Sequence, residues 1–320
     1  MGLLVNGKWK DEWYDTKSTG GRFVRKESSF RERVSADGST PFKAESGRYH
    51  LYVSLACPWA HRTLIFRKLK GLEDVISISI VDPLMGEQGW AFSDGPGCIP
   101  DTVNGAEYLH QLYTRARSDY TGRVTVPVLW DKQAETVVSN ESLDIIRMLN
   151  SEFNAFGDGS VDFYPVDCRR AINAINDVVY ERVNNGVYRC GFATTQEAYE
   201  EAVTDLFTTL DMIDDLLSSQ RYLVGFRITE ADWRIFTTLV RFDVVYVGHF
   251  KCNLRRIADY PNLSNYLREL YQVPGVVETV NLTHIKNHYY LSHKTINPTG
   301  IVPVGPEFDL SAPHNRHTVT

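Results

Sequence analysis

The sequence predicts an α/β N-terminal domain followed by an all-α C-terminal domain. Residues 49–81 run through a strand pattern, a helical pattern and a second strand pattern, which is typical of a βαβ unit. Residues 124–150 add a hairpin and a helix, and from residue 169 onward the apolar residues recur with the period of α-helices. A chain of 320 residues with 43% hydrophobic residues is long enough to give both domains a core.

The βαβ unit is organised around Cys57. Strands are predicted over residues 49–55 and 75–81, with a helix over residues 57–69 between them. Pro58 suits the first helical position, because the N–H that it lacks would have no partner there, so Cys57 should be the N-cap. The unpaired amides and partial positive charge of a helix N-terminus favour a thiolate, and such cysteines titrate well below the usual pKa of about 8.5. Cys57 is therefore the candidate nucleophile, in preference to an inert buried cysteine.

Glycine, proline and helix-capping residues also predict the remaining elements of the first domain. Glycines and prolines punctuate an insertion over residues 82–122, which contains a short helical pattern. Pro127 should begin a strand that ends at Trp130, since proline cannot donate to a central ladder. Glu141 and Ser142 then open a helix. Before the domain, residues 1–47 form an extended arm whose aromatic residues should lie on the protein body.

The second domain is predicted to be helical throughout. Thr229 and Asp232 have the spacing of a capping box in front of a buried helix. We place the domain boundaries at 48–155 for the first domain, 166–291 for the helical domain and 292–320 for a C-terminal tail. The helical patterns cover residues 169–184, 196–218, 233–242, 260–271 and 276–290.

Composition excludes several classes of partner. The net charge is −6 and the basic residues are scattered, so we expect no binding to nucleic acid. The five cysteines are far apart and show no metal-ligand spacing, which predicts no metal site and a reducing compartment. No stretch approaches the roughly 20 apolar residues that span a bilayer, and the start of the chain lacks a secretory apolar core. A cytoplasmic protein without membrane contact is expected.

These motifs together resemble the thioredoxin-like domain of the glutathione transferases, and the capped helix of the second domain resembles their all-helical domain. The resemblance implies glutathione as a co-substrate. It implies that the backbone of Val126 pairs with the cysteinyl amide of glutathione, that the bond before Pro127 is cis, and that Glu141 and Ser142 hold the γ-glutamyl end. Ser142 and its helix N-terminus could donate to the carboxylate of glutathione, while Glu141 could pair with its ammonium group. The alternative for this pair is an ordinary helix cap.

Cys57 indicates which branch of the glutathione transferases the sequence resembles. Most glutathione transferases use Tyr or Ser to stabilise the thiolate of glutathione, whereas a Cys forms a mixed disulfide with it. Since Ala60 stands where a second cysteine of a C-x-x-C motif would be, a second glutathione must resolve this disulfide. Five segments closely resemble the xi-class glutathione transferases, the glutathionyl-hydroquinone reductases: residues 13–21, 55–62, 184–188, 287–290 and 293–300.

This resemblance implies the reduction of glutathionyl-hydroquinones and a homodimer. It also implies the site residues. Tyr188, as proton donor and acceptor, would face Cys57 from the helical domain together with Tyr246 and Tyr289, which would lower the pKa of Cys57 and shape the pocket. The glutathione site would comprise Trp90, Arg123, Val124, Thr125, Val126, Glu141 and Ser142.

Each of these assignments has an alternative. Any of the tyrosines could serve packing alone. Trp90 could anchor the insertion, and Arg123 could be a solvated loop charge. His61 lies a turn away from the cap and is left out of the site. For the whole protein, the nearest alternative is an omega-like dehydroascorbate or disulfide reductase. A non-catalytic module of the same fold is less favoured, because the Cys57-Pro58 cap is intact.

Overall fold

A computed structural model describes residues 2–307 and 309–319 of the chain. Each of its two compact units is assembled from separated stretches of sequence. Unit 1 comprises Met1–Trp13, Lys26–Asp162 and Glu278–Val302. Unit 2 comprises Tyr14–Arg25, Phe163–Val277 and Pro303–Thr320.

Unit 1 contains the α/β elements. In chain order they are β1 (Leu3–Val5), β2 (Lys8–Lys10), β3 (Val34–Ser35), β4 (Phe42–Lys43), β5 (Tyr49–Val53), α1 (Pro58–Leu69), β6 (Ser77–Ile80), α2 (Leu109–Ala116), β7 (Gly122–Arg123), β8 (Val128–Asp131), β9 (Thr136–Ser139) and α3 (Ser142–Ser151). The main sheet has the order β6-β5-β8-β9, in which β5 runs parallel to β6 and antiparallel to β8. Every residue of β5 is buried, as expected for a central strand that leads to the site.

The predicted N-terminal arm has more structure than an extended chain. β1 and β2 form a hairpin, and β1 also pairs with β7. Asn6 and Gly7 both have positive φ, as a type I′ turn requires. Further along, the amide of Glu32 donates to the carbonyl of Val138, so the arm runs beside β9. The arm is therefore partly built into the sheet structure of unit 1.

Unit 2 is helical. Its elements are α4 (Arg169–Val179), α5 (Gly186–Gly191), α6 (Gln196–Leu217), α7 (Glu230–Arg241) and α8 (Pro261–Tyr271), and π-helical turns follow α4 at Tyr180–Asn184 and α7 at Phe242–Tyr246. The predicted capping box is present: the amide of Thr229 donates to the carboxylate of Asp232 at 2.7 Å. All twelve residues of α7 are buried, in agreement with the buried helix that the sequence predicts. The sequence did not predict α5 or the π-helical turns.

The final long helix differs from the prediction in bounds and in grouping. The pattern over residues 276–290 becomes a short 3-10 turn at Val277–Thr279 and then α9 (Leu282–Ser292). We placed it in the helical domain 166–291, but it groups with unit 1. The physical reason is that α9 makes tertiary contacts with unit 1. The His288 ring stacks on Trp90, and the ring of His284 is hydrogen-bonded to the carbonyl of Pro96. Within the described ranges, no helix combines the length and the apolar character that crossing a membrane requires.

Candidate functional site

Cys57 stands between the end of β5 and the start of α1. Its backbone is extended, with φ −79° and ψ 122°, its amide donates to the carbonyl of Ser54 at 3.2 Å, and its carbonyl accepts from the amide of His61 at 2.9 Å. The Sγ atom lies 3.6 Å from the carbonyl oxygen of Val126 and is partly exposed. The cysteine is thus the N-cap that the sequence predicted, at the positive end of a twelve-residue helix.

The loop that faces this thiol is held by a residue that sequence reasoning missed. The peptide bond between Val126 and Pro127 is cis, as the resemblance implies, and the ladder with β5 begins only at Val128. The hydroxyl of Tyr113 donates to the carbonyl of Thr125 at 2.7 Å and accepts from Asn140 Nδ2 at 3.1 Å. Burial raises the pKa of Tyr113 to about 12, which keeps this donor protonated. No local pattern marks Tyr113, because its partners are distant in sequence.

Glu141 and Ser142 stand at the N-terminus of α3. Glu141 is the N-cap, and its carboxylate accepts from the amide of Leu143 at 3.2 Å and from the hydroxyl of Ser28 at 3.0 Å. The buried Oγ of Ser142 lies 3.3 Å from Nη1 of Arg62 on α1. Arg62 is a second residue that the sequence did not predict. It links the second turn of α1 to the first residue of α3. The carboxylate makes the contacts of a helix cap, and one of its contacts comes from the arm.

Arg123 and Trp90, two further residues predicted to bind glutathione, contact other residues of the protein. The Nη2 atom of Arg123 donates to the carbonyl of Trp13 at 2.8 Å, and its Nη1 atom donates to the carbonyl of Glu12. The side chain of Trp90 is 4% exposed and stacks on His288 at 4.7 Å between ring centroids. Arg123 thus holds the arm at residues 12 and 13, and Trp90 has the contacts of an anchor for the insertion.

Tyr289 is buried in α9 next to the ring of His293, at 5.5 Å between centroids. It was predicted to face Cys57 from the helical domain, but it belongs to unit 1, the unit of Cys57 itself. The difference follows from the position of α9. His61, which was left out of the site, is buried with its Nε2 atom 2.8 Å from the hydroxyl of Thr279.

Tyr188 and Tyr246 meet in an aromatic cluster of unit 2. Their ring centroids are 6.2 Å apart, and the ring of Phe250 lies 5.4 Å from each of them. Tyr246 ends a π-helical turn, and Tyr188 follows another by four residues. Such turns are frequent at functional sites. Gly191 permits this cluster, because a Cβ atom there would lie only 2.2 Å from the ring of Phe250.

The predicted site residues therefore fall into two groups by unit. Unit 1 holds Cys57, Tyr289 and the predicted glutathione residues, with the thiol and the Val126 carbonyl in contact. Unit 2 holds Tyr188 and Tyr246. Within residues 2–307 and 309–319, no group of three or more His, Cys, Asp or Glu side chains could hold a metal ion.

Comparison with protein families gives two matches, which lie in separate parts of the chain. The model described as the N-terminal domain of glutathione S-transferase matches residues 56–152. The model described as the C-terminal domain of glutathione S-transferase matches residues 196–269. Together these segments cover more than half of the chain.

Individual relatives are similar over nearly the full length. Glutathionyl-hydroquinone reductase YqjG of Escherichia coli is 58% identical, covering 99% of this chain and 98% of the relative. Glutathionyl-hydroquinone reductase PcpF of Sphingobium chlorophenolicum is 59% identical, covering 96% of each. The glutathione-bound structure of YqjG superposes with a TM-score of 0.91 at 53% identity and 99% coverage of both chains. A xi-class glutathione transferase of Natrialba magadii gives 0.93 at 51% identity, covering 99% of this chain and 97% of that one.

Proposed function

We infer the function from the premise that this chain belongs to the glutathione transferase family and, within it, to the xi class. It has the α/β thioredoxin-like domain and the all-α domain of that fold. The chain is a glutathione-dependent oxidoreductase that reduces glutathionyl-hydroquinones to hydroquinones, with glutathione as co-substrate. The observation that carries this conclusion is the sequence identity of 58–59%, over nearly the full length of the chain, to two glutathionyl-hydroquinone reductases. The intact N-cap at Cys57 supports it.

The reaction proceeds in two steps. The Cys57 thiolate attacks the sulfur of the glutathionyl group, which forms a Cys57–glutathione disulfide and breaks the bond between that sulfur and the ring carbon. This bond breaks in the ketone-like tautomer of the ring, in which an acid has placed a proton on the ring carbon and a ring hydroxyl has given up its proton. The electron pair of the broken bond then restores the aromatic ring, and the ring oxygen takes its proton back to give the hydroquinone. The thiolate of a second glutathione then attacks the mixed disulfide, giving oxidised glutathione and restoring the Cys57 thiolate. Over both steps, two electrons pass from the two glutathione sulfurs to the ring, and Cys57 returns to its starting state.

Protonation of the ring carbon needs an acid, and the proposed acid is Tyr188. A phenol can donate this proton while its ring packs flat against an aromatic substrate. Tyr246 and Tyr289 are proposed to lower the pKa of Cys57 and to shape the pocket. The burial of both Tyr188 and Tyr246 in one aromatic cluster supports a shared role.

The glutathione is proposed to bind along the loop and helix N-termini of unit 1. Val126 lies outside the ladder with β5, which suits its backbone for pairing with the cysteinyl amide of glutathione. Ser142 and Glu141 are proposed to hold the γ-glutamyl end, supported by their position at the N-terminus of α3. The other members of the proposed glutathione site are Trp90, Arg123, Val124 and Thr125.

Intact-mass measurement tests the first step. The protein is mixed with a glutathionyl-hydroquinone and no free glutathione, and we expect a mass increase of one glutathionyl group together with one equivalent of hydroquinone. Addition of glutathione should remove the adduct as oxidised glutathione. Because Cys57 is the proposed nucleophile, Cys57→Ser should form no adduct.

The matched control is Cys168→Ser, since Cys168 is also partly exposed but lies in unit 2 next to Arg227. It should form the adduct as the wild type does. An adduct on Cys57→Ser would contradict the mechanism. Turnover of dehydroascorbate above that of the glutathionyl-hydroquinone would favour the omega-like alternative.

We propose that the protein is a cytoplasmic homodimer. A cytoplasmic enzyme is supported by five cysteines that are all free thiols in the structure. A homodimer is supported by the family resemblance, and light scattering of the purified protein measures it.

A further inference from the structure

The segment Tyr14–Arg25 belongs to unit 2 and brings a guanidinium to the ring of Tyr188. The Cζ atom of Arg25 lies over that ring, 5.1 Å from its centroid. Its Nε atom donates to Oδ1 of Asn185 at 3.2 Å, which fixes the guanidinium at the N-terminus of α5, the helix that carries Tyr188. Phe23 of the same segment stacks on Tyr188 with centroids 6.4 Å apart. The arm thus covers the proposed acid with one cation and one aromatic ring.

The guanidinium of Arg25 affects the acidity of the phenol on which it lies. A guanidinium over an aromatic ring is attracted to its electron-rich face. When a phenol loses its proton, the negative charge spreads into the ring, and a nearby cation stabilises the charged form. A phenol under a guanidinium is therefore a stronger acid than the same phenol without it, because its conjugate base is stabilised.

Other charged groups on the elements around Tyr188 have partners of their own. Arg22 of the same segment and Arg189 of α5 both pair with Glu201 on α6. Arg189 also pairs with Asp205 of α6. These charges compensate one another along α6.

Residues 242–250, which follow α7, carry two titratable groups besides Tyr246. The carboxylate of Asp243 accepts from the amides of Ile257 and Ala258. Burial lowers the pKa of His249 to about 4, so this imidazole is neutral at pH 7. Neither group supplies a cation at neutral pH.

We propose that Arg25 is a positioning residue for the reaction, which stabilises the phenolate that forms when Tyr188 gives its proton to the ring carbon. The inference rests on the proposed role of Tyr188. In this step the hydroxyl proton of Tyr188 moves to the ring carbon that bears the sulfur, which gives the ketone-like tautomer from which the carbon–sulfur bond breaks. The proton that the second glutathione releases, when its thiol becomes a thiolate, returns to Tyr188. Arg25 is then the residue of the arm that acts on the reaction, through the hydroxyl of Tyr188.

The first test is the pH profile of kcat with a glutathionyl-hydroquinone. A general acid works only while protonated, so activity falls as pH rises through its pKa. Removing the cation raises that pKa. We expect Arg25→Gln to lower kcat at neutral pH roughly tenfold, with KM changed less than about twofold, and to move the alkaline limb of the profile to higher pH. Arg25→Lys keeps the charge without the planar fork and should give an intermediate profile.

The matched control is Lys26→Gln, which removes one positive charge from the next residue of the chain. Lys26 is exposed, so its kcat and pH profile should equal those of the wild type. In a Tyr188→Phe background, Arg25→Gln should cause no further loss, because the cation acts through the hydroxyl of Tyr188. A profile of Arg25→Gln identical to that of the wild type would overturn the inference.

A titration that does not depend on turnover separates this inference from the proposed function. NMR of ring-labelled tyrosine follows the ionisation of Tyr188, whose signal is the one missing in Tyr188→Phe. We expect that ionisation to move to higher pH in Arg25→Gln. An unchanged titration alongside an inactive Tyr188→Phe would overturn the role of Arg25 alone. Full turnover by Tyr188→Phe would overturn the proposed acid, and with it the role of Arg25 in turnover.

Discussion

At the scale of single residues, the site lies where regular backbone hydrogen bonding of helices and strands begins or ends. The N-terminal amides of α1 have no partner within their own helix, and Cys57 stands at that end. Val126 stands one residue before Pro127, ahead of the first paired residue of β8. The thiol and the Val126 carbonyl meet because a strand end and a loop converge there.

Tyr188→Phe tests the proposed acid at this scale. The change removes one hydroxyl and keeps the ring that packs with Phe250 and Tyr246. Since a positioned general acid contributes about 100-fold or more, we expect kcat for glutathionyl-hydroquinone to fall by about 100-fold. Formation of oxidised glutathione, followed in steady state, measures it.

The control for this variant is Tyr164→Phe, whose hydroxyl contacts Asn173 elsewhere in unit 2. Its turnover should match that of the wild type. Unchanged turnover by Tyr188→Phe would remove this residue from the acid role and leave its ring as packing.

At the scale of elements, the β5–β6 pair encloses a histidine that is neutral when folded. The ring nitrogens of His50 lie 2.7 Å from the hydroxyl of Ser77 and 2.9 Å from that of Ser79. A neutral imidazole has one donor and one acceptor, which suits two hydroxyl partners. Burial lowers the pKa of His50 from 6.5 to about 4.

This shift predicts a loss of stability in acid. Because the folded-state pKa lies below the unfolded value, the contribution of His50 is complete above pH 6.5 and is lost as pH falls towards 4. At about pH 4.5 the loss amounts to about 2–3 kcal/mol of the free energy of unfolding. Urea unfolding at pH 7 and at about pH 4.5 measures the difference.

A variant without the titrating group separates His50 from other acid-sensitive groups such as His249. His50→Gln should be less stable than the wild type at pH 7 but should lose less stability between the two pH values. The exposed His317→Gln should keep the wild-type dependence. An equal loss in His50→Gln and the wild type would contradict the assignment.

At the scale of the whole molecule, the N-terminal arm contributes to both compact units. Its hairpin of β1 and β2 and the run beside β9 belong to unit 1, while Tyr14–Arg25 belongs to unit 2. In unit 2 the buried ring of Phe23 packs against Tyr188 and Phe192. These contacts join residues that are more than 160 positions apart, so the arm is a structural part of the fold.

Phe23→Ala tests this contribution. Truncating a buried aromatic side chain leaves a cavity and should lower the free energy of unfolding by about 3 kcal/mol. Denaturant unfolding measures the change. The neighbouring Val24→Ala is the control, because Val24 is 55% exposed and its truncation should cost little. Equal stability of the two variants would show that the arm does not stabilise unit 2.

Much of the fold could be predicted because its signals are local. The Cys57-Pro58 cap and the capping box at Thr229 each involve residues within one helical turn, and both are present. The hairpin of the arm also had a local signal in Asn6-Gly7, which the sequence analysis passed over. The turns after α4 and α7 could not be predicted, because a π-helical turn carries no periodic pattern of its own.

The sequence by itself determined the candidate nucleophile, the proposed one-thiol mechanism and the family, since a capped cysteine and the absence of a second cysteine in its motif can be read from neighbouring residues. Only the tertiary structure decided which residues support them. Tyr113 holds the loop at Thr125, Arg62 reaches Ser142, and Arg25 lies over Tyr188. The physical reason is that these contacts join distant parts of the chain, and packing selects them without any local pattern.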